Sequence, residues 1–246
     1  MLTGTADVAL LAARAPKLAG FEGEALTLPG VELLQVTYEL AGSAPEAVFP
    51  PALSPTLPVL AVLSLWRADT GPLGRFSLAE LRLSCRSGVR PRQLLVGCFA
   101  EGDAARAALN ERFAFAARPA KVRLERFYDR VEGSVEFDGR GVLGVSALAP
   151  LPLAGSDLQF FSSLHAAETP KGLRLLQIDA ELAVARAERG KPRLEHFEPR
   201  AFGLPNGAHL AWPVAAFVAL CDLTLPKLRF VCRADVPAFA GTERVS

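Results

Sequence analysis

Two strands joined by a tight turn are predicted by the stretch VEGSVEFDGRGVLGVSALA, residues 131–149. Apolar residues alternate with polar or small ones over Val131–Phe137, and a second apolar run follows over Val142–Ala149. Asp138-Gly139 lies between the two runs and supplies the positive φ angles that a two-residue hairpin turn needs. We therefore expect the two strands to pair antiparallel.

Runs of the same kind extend the prediction of strands through the rest of the chain. They are bounded by Gly and Pro, which is typical of strands. These runs are Val31–Leu40, Leu57–Trp66, Phe76–Cys85, Gln93–Phe99, Lys121–Phe127, Leu158–Leu164, Leu173–Ile178, Glu181–Ala187 and Pro226–Arg233. Two helices are also predicted, one beginning at Asp103 before strong helix formers and one over Pro213–Leu220. Together, these strands and helices predict an α+β fold of mostly antiparallel strands, of the kind that closes into a barrel or cone.

The length of the chain favours one domain. At 246 residues, of which half are apolar, there is enough material for a large core and for a pocket lined by side chains. The proline-rich stretch Pro45–Pro58 is expected to form an ordered surface crossing between strands. Residues 1–20 and 241–246 are expected to be loosely held.

Charge and hydropathy exclude several classes of partner. The net charge is +1, and the 27 basic and 26 acidic residues are scattered, so no basic stripe favours nucleic acid. The longest apolar runs, such as Leu57–Trp66, are too short to cross a bilayer. The N-terminus carries Asp7 and lacks the basic start and continuous apolar stretch of a signal peptide. We therefore expect a cytoplasmic protein.

The cysteines and histidines do not form a recognisable metal or cofactor motif. Cys85, Cys98, Cys221 and Cys232 are far apart in apolar segments, as expected for small buried side chains in a reducing compartment. The three histidines are isolated in sequence, so no metal site is predicted. The local motifs of serine hydrolases, zinc proteases and nucleotide-binding proteins are absent from the sequence. No cofactor is expected, and any chemistry must come from dispersed residues.

The segment that follows the first predicted helix resembles a known family. The helix from Asp103 continues into ERFAFAARPAKVRLE, residues 111–125, which is similar to the acetoacetate decarboxylase superfamily. In that family a helix is followed by an aromatic residue and a Pro-Lys-Lys element before a strand. Residues 129–133, 168–175 and 213–226 are similar to later family segments, and the resemblance covers roughly residues 30 to 235 by order and spacing.

The resemblance implies a central cavity in which the family's reactive lysine is missing. In the family, the first lysine of the Pro-Lys-Lys element forms a Schiff base with the substrate ketone. The matching positions here are Ala116, Ala117 and Arg118, so a positive charge remains but the nucleophile does not. An arginine cannot replace it, because the guanidinium stays protonated. Lys121 is the nearest lysine, and strand alternation puts it on a polar face.

Most polar positions of the family's cavity match apolar residues in this chain. Val31, Leu63 and Leu78 are such matches, and the resemblance implies carboxylates at the last two. Glu80 lies two residues beyond, and if it points inward its pKa would rise and it could act as a general acid or base. The alternative is a strand carboxylate that faces solvent. The predicted pocket-lining residues are Val31, Leu63, Trp66, Leu78, Phe115 and Ala117.

Glu80 and three further residues are the candidate catalytic groups. Tyr38 lies on a predicted strand and could donate or accept a proton, although a hydroxyl in water is the alternative. His165 has a side chain whose ordinary pKa suits acid–base chemistry, although a structural histidine is the alternative. Arg118 completes the set as the remaining cation.

Three functions remain open at this point. The first is an enzyme that binds a small apolar or keto substrate and transforms it by cyclisation, isomerisation or proton transfer, as in secondary metabolism, without a Schiff base. The second is a ligand-binding protein that performs no reaction. The third is a true decarboxylase, a lyase acting on a β-keto acid, whose lysine comes from elsewhere. The resemblance also implies a homo-oligomer.

Overall fold

The computed structural model describes residues 2–21, 23–42 and 45–245. Within these residues the chain forms a fifteen-stranded sheet and three short α-helices. The strands are β1 (Leu26–Ala41), β2 (Ser54–Pro55), β3 (Leu60–Ala68), β4 (Phe76–Ser87), β5 (Arg90–Glu101), β6 (Arg118–Pro119), β7 (Lys121–Arg126), β8 (Arg130–Phe137), β9 (Arg140–Leu153), β10 (Ser163–Thr169), β11 (Gly172–Ile178), β12 (Glu181–Phe197), β13 (His209–Leu225), β14 (Phe230–Arg233) and β15 (Thr242–Arg244). The helices are α1 (Val8–Arg14), α2 (Asp103–Phe113) and α3 (Ala238–Gly241), and single 3₁₀ turns cover Pro45–Val48, Gly155–Asp157 and Pro199–Phe202.

One continuous sheet carries the whole fold. Its order is β15-β14-β11-β10-β5-β4-β3-β1-β13-β12-β9-β8-β7, with β2 beside β4 and β6 beside β5. Most neighbours pair antiparallel, while β5 makes two short parallel contacts, with β10 and with β6. The predicted α+β class with mostly antiparallel strands is confirmed.

The hairpin predicted over Val131–Ala149 forms in the structure. Asp138 and Gly139 have φ angles of 51° and 74°, and Phe137 pairs with Arg140 across the turn. These positive φ values are the ones that a type I′ turn requires at both central positions. The turn therefore fixes the register of β8 on β9.

One face of the central strands packs against this hairpin. Leu34, Leu63 and Leu81 lie on this face of β1, β3 and β4, and they pack with Val131 and Val135 of β8 in what we call the hairpin-side core. The backbone of β8 approaches β3 closely at Gly133. A Cβ at this position would lie 2.7 Å from a methyl carbon of Leu65, which explains why the residue is glycine.

The opposite face of the same strands packs against α2 and the segment after it. Leu33, Trp66 and Leu78 lie on this face, and they pack with Phe113 and Phe115 in what we call the helix-side core. Successive strand residues point to opposite faces, so β1, β3 and β4 need apolar residues at nearly every position. Their long apolar runs follow from this double burial.

The prediction of a helix over Pro213–Leu220 is wrong. These residues lie inside β13, which pairs with β1 on one side and with β12 on the other. Pairing on both sides satisfies the backbone groups of the strand, and this tertiary gain outweighs the modest helix propensity of its alanines. The chain therefore crosses the sheet where the sequence favoured a turn of helix.

Several predicted strands, including the last one over Pro226–Arg233, have different bounds in the structure, and two of them show why. The run Leu158–Leu164 becomes a strand only at Ser163, and the preceding residues cross the helix-side core as an irregular segment. The run Glu181–Ala187 is the first part of a strand that continues to Phe197 and bridges β13 and β9. In both cases the pairing partner sets the bounds of the strand.

The terminal segments contain ordered contacts. Asp7 caps α1 by accepting a hydrogen bond from Ala9 N at 2.8 Å, and Leu18 N donates to Glu168 O at 2.9 Å. At the other end β15 pairs with β14, while Met1 and Ser246 lie outside the described residues. None of the helices in the described ranges is long and apolar enough to span a membrane.

The predicted crossing over Pro45–Pro58 contains a 3₁₀ turn and β2. Phe49 and Leu53 are fully buried in the hairpin-side core, so the crossing packs onto the sheet. Ser43 and Ala44, just before it, lie outside the described residues.

The hairpin turn provides a matched test of the fold. Replacing Gly139 with alanine is expected to lower the free energy of unfolding by about 1 kcal/mol, because an L side chain at positive φ is strained. Gly141 lies in the same hairpin, and a Cβ built there meets no atom within 4 Å. Gly141→Ala is expected to change stability by less than about 0.5 kcal/mol. Equal losses in urea unfolding of the two variants would contradict the turn geometry.

Candidate functional site

Polar side chains are buried together in the helix-side core. Strand register places Gln35, Ser64 and Glu80 side by side on β1, β3 and β4. Ser64, Glu80 and Arg82 are almost completely excluded from solvent. We call the group the inner polar cluster, and its members are Gln35, Ser64, Glu80, Arg82, Ser163 and His165.

Arg82 contacts three other members of this cluster, Gln35, Ser64 and Glu80. Its Nη2 donates hydrogen bonds to Ser64 Oγ at 2.9 Å and to Gln35 Oε1 at 3.4 Å. Its Nη1 donates to the carbonyl of Phe161 at 3.4 Å, and the guanidinium lies 4.6 Å from the centre of the Phe160 ring. A guanidinium remains protonated in proteins, so this core holds a permanent positive charge.

The irregular segment before β10 covers the cluster. Gln35 Nε2 donates to the carbonyl of Gln159 at 3.1 Å, next to the Phe160 ring and the Phe161 carbonyl that contact Arg82. In a strand, backbone carbonyls accept hydrogen bonds from the neighbouring strand. The carbonyls of Gln159 and Phe161 lie outside any strand, so they can accept from the buried side chains of Gln35 and Arg82. The segment therefore closes the polar cluster from solvent.

Glu80 is the least satisfied member of the cluster. It is 2% exposed, and its Oε1 lies 3.3 Å from Arg82 Nε, yet it makes no hydrogen bond among the described residues. Burial raises the pKa of Glu80, and the charge of Arg82 opposes that rise. Trp66 Nε1 in the same core is also without a partner there. Most buried polar groups in proteins have a hydrogen-bond partner, so these two are exceptional in this core.

His165 is satisfied at both ring nitrogens. Nδ1 lies 2.7 Å from the carbonyl of Phe113, which can only accept, so Nδ1 carries the proton. Nε2 then accepts from the hydroxyl of Ser163 at 2.8 Å. Burial lowers the pKa of His165 to about 3, and the nearby charge of Arg82 adds to this despite the opposing bond to Phe113. The ring is therefore neutral near pH 7 and ties β10 to the end of α2.

Ala117 faces the same core, held by a defined backbone. Ala114 ends α2 with φ of 52°, and Ala116 repeats the left-handed conformation with φ of 50°. Asn110 fixes the next residue from both sides: its Oδ1 accepts from Ala117 N at 2.7 Å, and its Nδ2 donates to Ala117 O at 3.1 Å. Two non-glycine residues at positive φ are costly, and such strain is concentrated at functional sites.

The structure brings together most of the residues that the sequence nominated. Glu80 and His165 lie in the helix-side core, and the Phe115 ring is 4.6 Å from His165 and 5.7 Å from Trp66, centre to centre. The nominated pocket residues in that core are Val31, Trp66, Leu78, Phe115 and Ala117.

Three nominated residues lie elsewhere. Leu63 and Tyr38 are each one position out of phase with the inner polar cluster, so their side chains face the hairpin-side core. Burial raises the pKa of Tyr38 to about 12, with a smaller contribution from Glu195. Arg118 lies beside Phe99 in register, and its guanidinium contacts the rings of Phe99 and Phe137, 4.4 and 4.7 Å from their centres.

The sequence reasoning missed Arg82, Gln35, Ser64 and Ser163. Glu80 and Arg82 alternate with Leu81 and Leu83 along β4, which is also the pattern of a strand with one face in solvent. The sequence therefore carries no local signal that these charges are buried. No group of three or more possible metal-binding His, Cys, Asp or Glu side chains occurs within the described residues.

Comparison with solved structures shows that this is the fold of acetoacetate decarboxylase. The chain superposes on acetoacetate decarboxylase from Legionella pneumophila with a TM-score of 0.70 and 18% identity, covering 87% of this chain and 88% of that one. An acetoacetate decarboxylase-like enzyme from Sphingomonas wittichii gives a TM-score of 0.65 at 14% identity, covering 92% and 96%.

A third similar structure is the enduracididine biosynthesis enzyme MppR in complex with pyruvate. Its TM-score is 0.63 at 16% identity, with 90% of each chain covered. Comparison with protein-family models and with curated protein sequences gives no match. The cone-like, mostly antiparallel α+β architecture predicted from the sequence is thus confirmed at the level of the fold.

The protonation state of Glu80 can be read from stability. The folded-state pKa lies above the ordinary value of 4.5, so the unfolded chain releases a proton first as pH rises. The stability associated with Glu80 is complete below pH 4.5 and is lost as pH rises towards the folded-state pKa, by up to about 1.4 kcal/mol per pH unit. Glu80→Gln removes this loss, so the variant gains stability relative to the wild type as pH rises from 4.5 towards the folded-state pKa of Glu80.

Urea unfolding at several pH values measures this difference. Glu111→Gln, on the exposed face of α2, is the control and is expected to follow the wild type. If the wild type instead gains stability relative to Glu80→Gln as pH rises, Glu80 is an ionised partner of Arg82 with a lowered pKa.

Proposed function

We propose that this protein is a diverged member of the acetoacetate decarboxylase superfamily that moves a proton on a small, largely apolar carbonyl compound without forming a Schiff base. The observation that carries the proposal is the buried Glu80 carboxyl, with raised pKa and no hydrogen-bond partner among the described residues, beside a permanent cation.

The chemistry needs two groups that the cluster supplies. Glu80, when ionised, removes a proton from the carbon next to a carbonyl, and the negative charge moves to the carbonyl oxygen as an enolate. The guanidinium of Arg82, whose Nε lacks a hydrogen-bond partner within the described ranges, stabilises that oxygen. Glu80 then returns the proton to the same carbon or to another one, which completes an exchange, an isomerisation or a ring closure.

The lysines of the chain support a reaction without a Schiff base. Position 117, which matches the reactive lysine in the resemblance, is alanine and faces the helix-side core. All five lysines are exposed. Lys121, the nearest in sequence to position 117, forms an ion pair with Glu136 at 2.9 Å on the surface. A Schiff-base lysine is activated by desolvation in an apolar pocket, and none of these five amines is in such a place. These positions weigh against a decarboxylase whose lysine comes from elsewhere.

The cluster also assigns roles to the other polar residues. His165 is a positioning residue, because its neutral ring is committed to Ser163 and to the carbonyl of Phe113. Gln35 and Ser64 hold the Arg82 guanidinium in place. The substrate class is a keto compound: MppR, a structure with this fold, is described with pyruvate bound.

Location and assembly complete the proposal. We place the protein in the cytoplasm, where its buried, unpaired cysteines stay reduced. We infer a homo-oligomer, as the resemblance implies. Exposed apolar side chains on β9 and β13 support this, above all Leu151 and Trp212, whose exposed fractions are 69% and 70%.

Proton exchange with solvent tests the proposal directly. The protein is expected to speed the exchange of the C–H hydrogens of pyruvate and acetoacetate in D₂O, followed by proton NMR. Glu80→Gln is expected to lower that rate by about 100-fold, as for loss of a general base. Glu111→Gln is the control and keeps the wild-type rate.

Two outcomes would contradict the proposal. Binding of either keto acid without any exchange would make the protein a ligand-binding protein. A stable adduct trapped by borohydride with acetoacetate, found by mass spectrometry, would show a reactive lysine and a Schiff base.

A further inference from the structure

A cavity lies at the edge of β5, outside the inner polar cluster. On one side β5 pairs with β10 through Gln93 and Leu94, and with β6 through Phe99 and Ala100. Between these contacts, residues 95–98 have no strand partner on that side in the described part of the sheet. A cavity of about 620 Å³, which we call the edge cavity, fills this gap. Its main walls are Leu11, Val48, Leu95, Phe115, Leu175 and Phe202.

The charge of this cavity has a single sign. Arg14, Arg118 and Arg200 line it, and none of its lining residues is acidic. None of the three arginines forms an ion pair with a carboxylate of the described residues. An apolar cavity lined by cations, with no carboxylate on its wall, concentrates a positive potential and attracts anions. The planar guanidinium matches a carboxylate in shape and in hydrogen-bond geometry.

Two of these arginines are held in place by the protein. Arg118 contacts the rings of Phe99 and Phe137 and donates a hydrogen bond to the carbonyl of Ala201. Arg200 Nε donates to Asn206 Oδ1 at 2.5 Å. Preorganised donors lose less freedom when they bind a ligand, so these contacts favour recognition of a charged group.

The rest of the wall defines the other end of the ligand. The lining is mostly aliphatic and aromatic, and the volume is within the range of about 300–1,000 Å³ that is typical of small-molecule sites. A small keto acid would leave most of this apolar surface uncovered. An extended hydrocarbon body would cover it.

We propose that the edge cavity binds an amphipathic carboxylate, a hydrocarbon chain with one carboxylate head, with the head at the three arginines and the chain against the apolar wall. The site is separate from the inner polar cluster. Cys98 and Phe115 form part of the wall between the two, and Cys98 is the register partner of Glu80 on β5.

Calorimetry with decanoate, and with decanol as the uncharged probe of equal length, tests this site. Decanoate is expected to bind at least about tenfold more tightly than decanol, since charge-assisted hydrogen bonds form only with the carboxylate. Arg200→Gln and Arg14→Gln are each expected to weaken decanoate about tenfold. Arg140→Gln, on the exposed hairpin turn, is the control and is expected to change nothing.

A second variant keeps the test independent of charge. Ala166 lines the cavity, and Ala166→Leu adds volume inside it, which is expected to weaken both probes while circular dichroism stays that of the wild type. Glu80→Gln is expected to keep full decanoate affinity, so failure of the proposed reaction leaves this site intact. Equal affinity for decanoate and decanol, equal weakening by Arg140→Gln, or loss of binding in Glu80→Gln would overturn the proposal.

Discussion

The double burial of the central strands is the constraint on which the rest of the structure depends. β1, β3 and β4 are covered on one face by the hairpin of β8 and β9 and on the other by α2 and the segment after it. Polar residues in the middle of these strands, such as Glu80 and Arg82, are therefore inside the protein. A charge in such a place must be paired or neutralised, because its transfer from water is costly. Glu80 and Arg82 accordingly lie side by side, with 3.3 Å between Glu80 Oε1 and Arg82 Nε.

The two cores have different tasks. The hairpin-side core is built almost entirely of aliphatic and aromatic side chains, each fully buried one contributing about 1.5–3 kcal/mol. The helix-side core contains the inner polar cluster, where the Glu80 carboxyl has no hydrogen-bond partner among the described residues. An unsatisfied buried group costs about 1–3 kcal/mol. We infer that the first core supplies the stability that the second one gives up for function.

Local signals in the sequence predicted the fold well and the site in part. Asp138-Gly139 fixes its hairpin through backbone geometry alone, so the prediction needed no tertiary information. Glu80 could face either side until the second covering layer of β4 was known. Pro213–Leu220 reads as a helix because its alanines fit either element, and only pairing on both sides decides for a strand. The edge cavity depends on a gap between strand partners that are far apart in sequence, which no local pattern encodes.

The most direct test of the account is the titration of Glu80 itself. In protein labelled with ¹³C in its glutamate side chains, the carboxyl resonance that is absent from the Glu80→Gln spectrum belongs to Glu80. The account predicts that this resonance keeps the shift of a protonated carboxyl at pH values above the ordinary pKa of 4.5, because burial opposes ionisation. A change of shift at or below pH 4.5 would show an ionised carboxylate paired with Arg82 and would contradict the account.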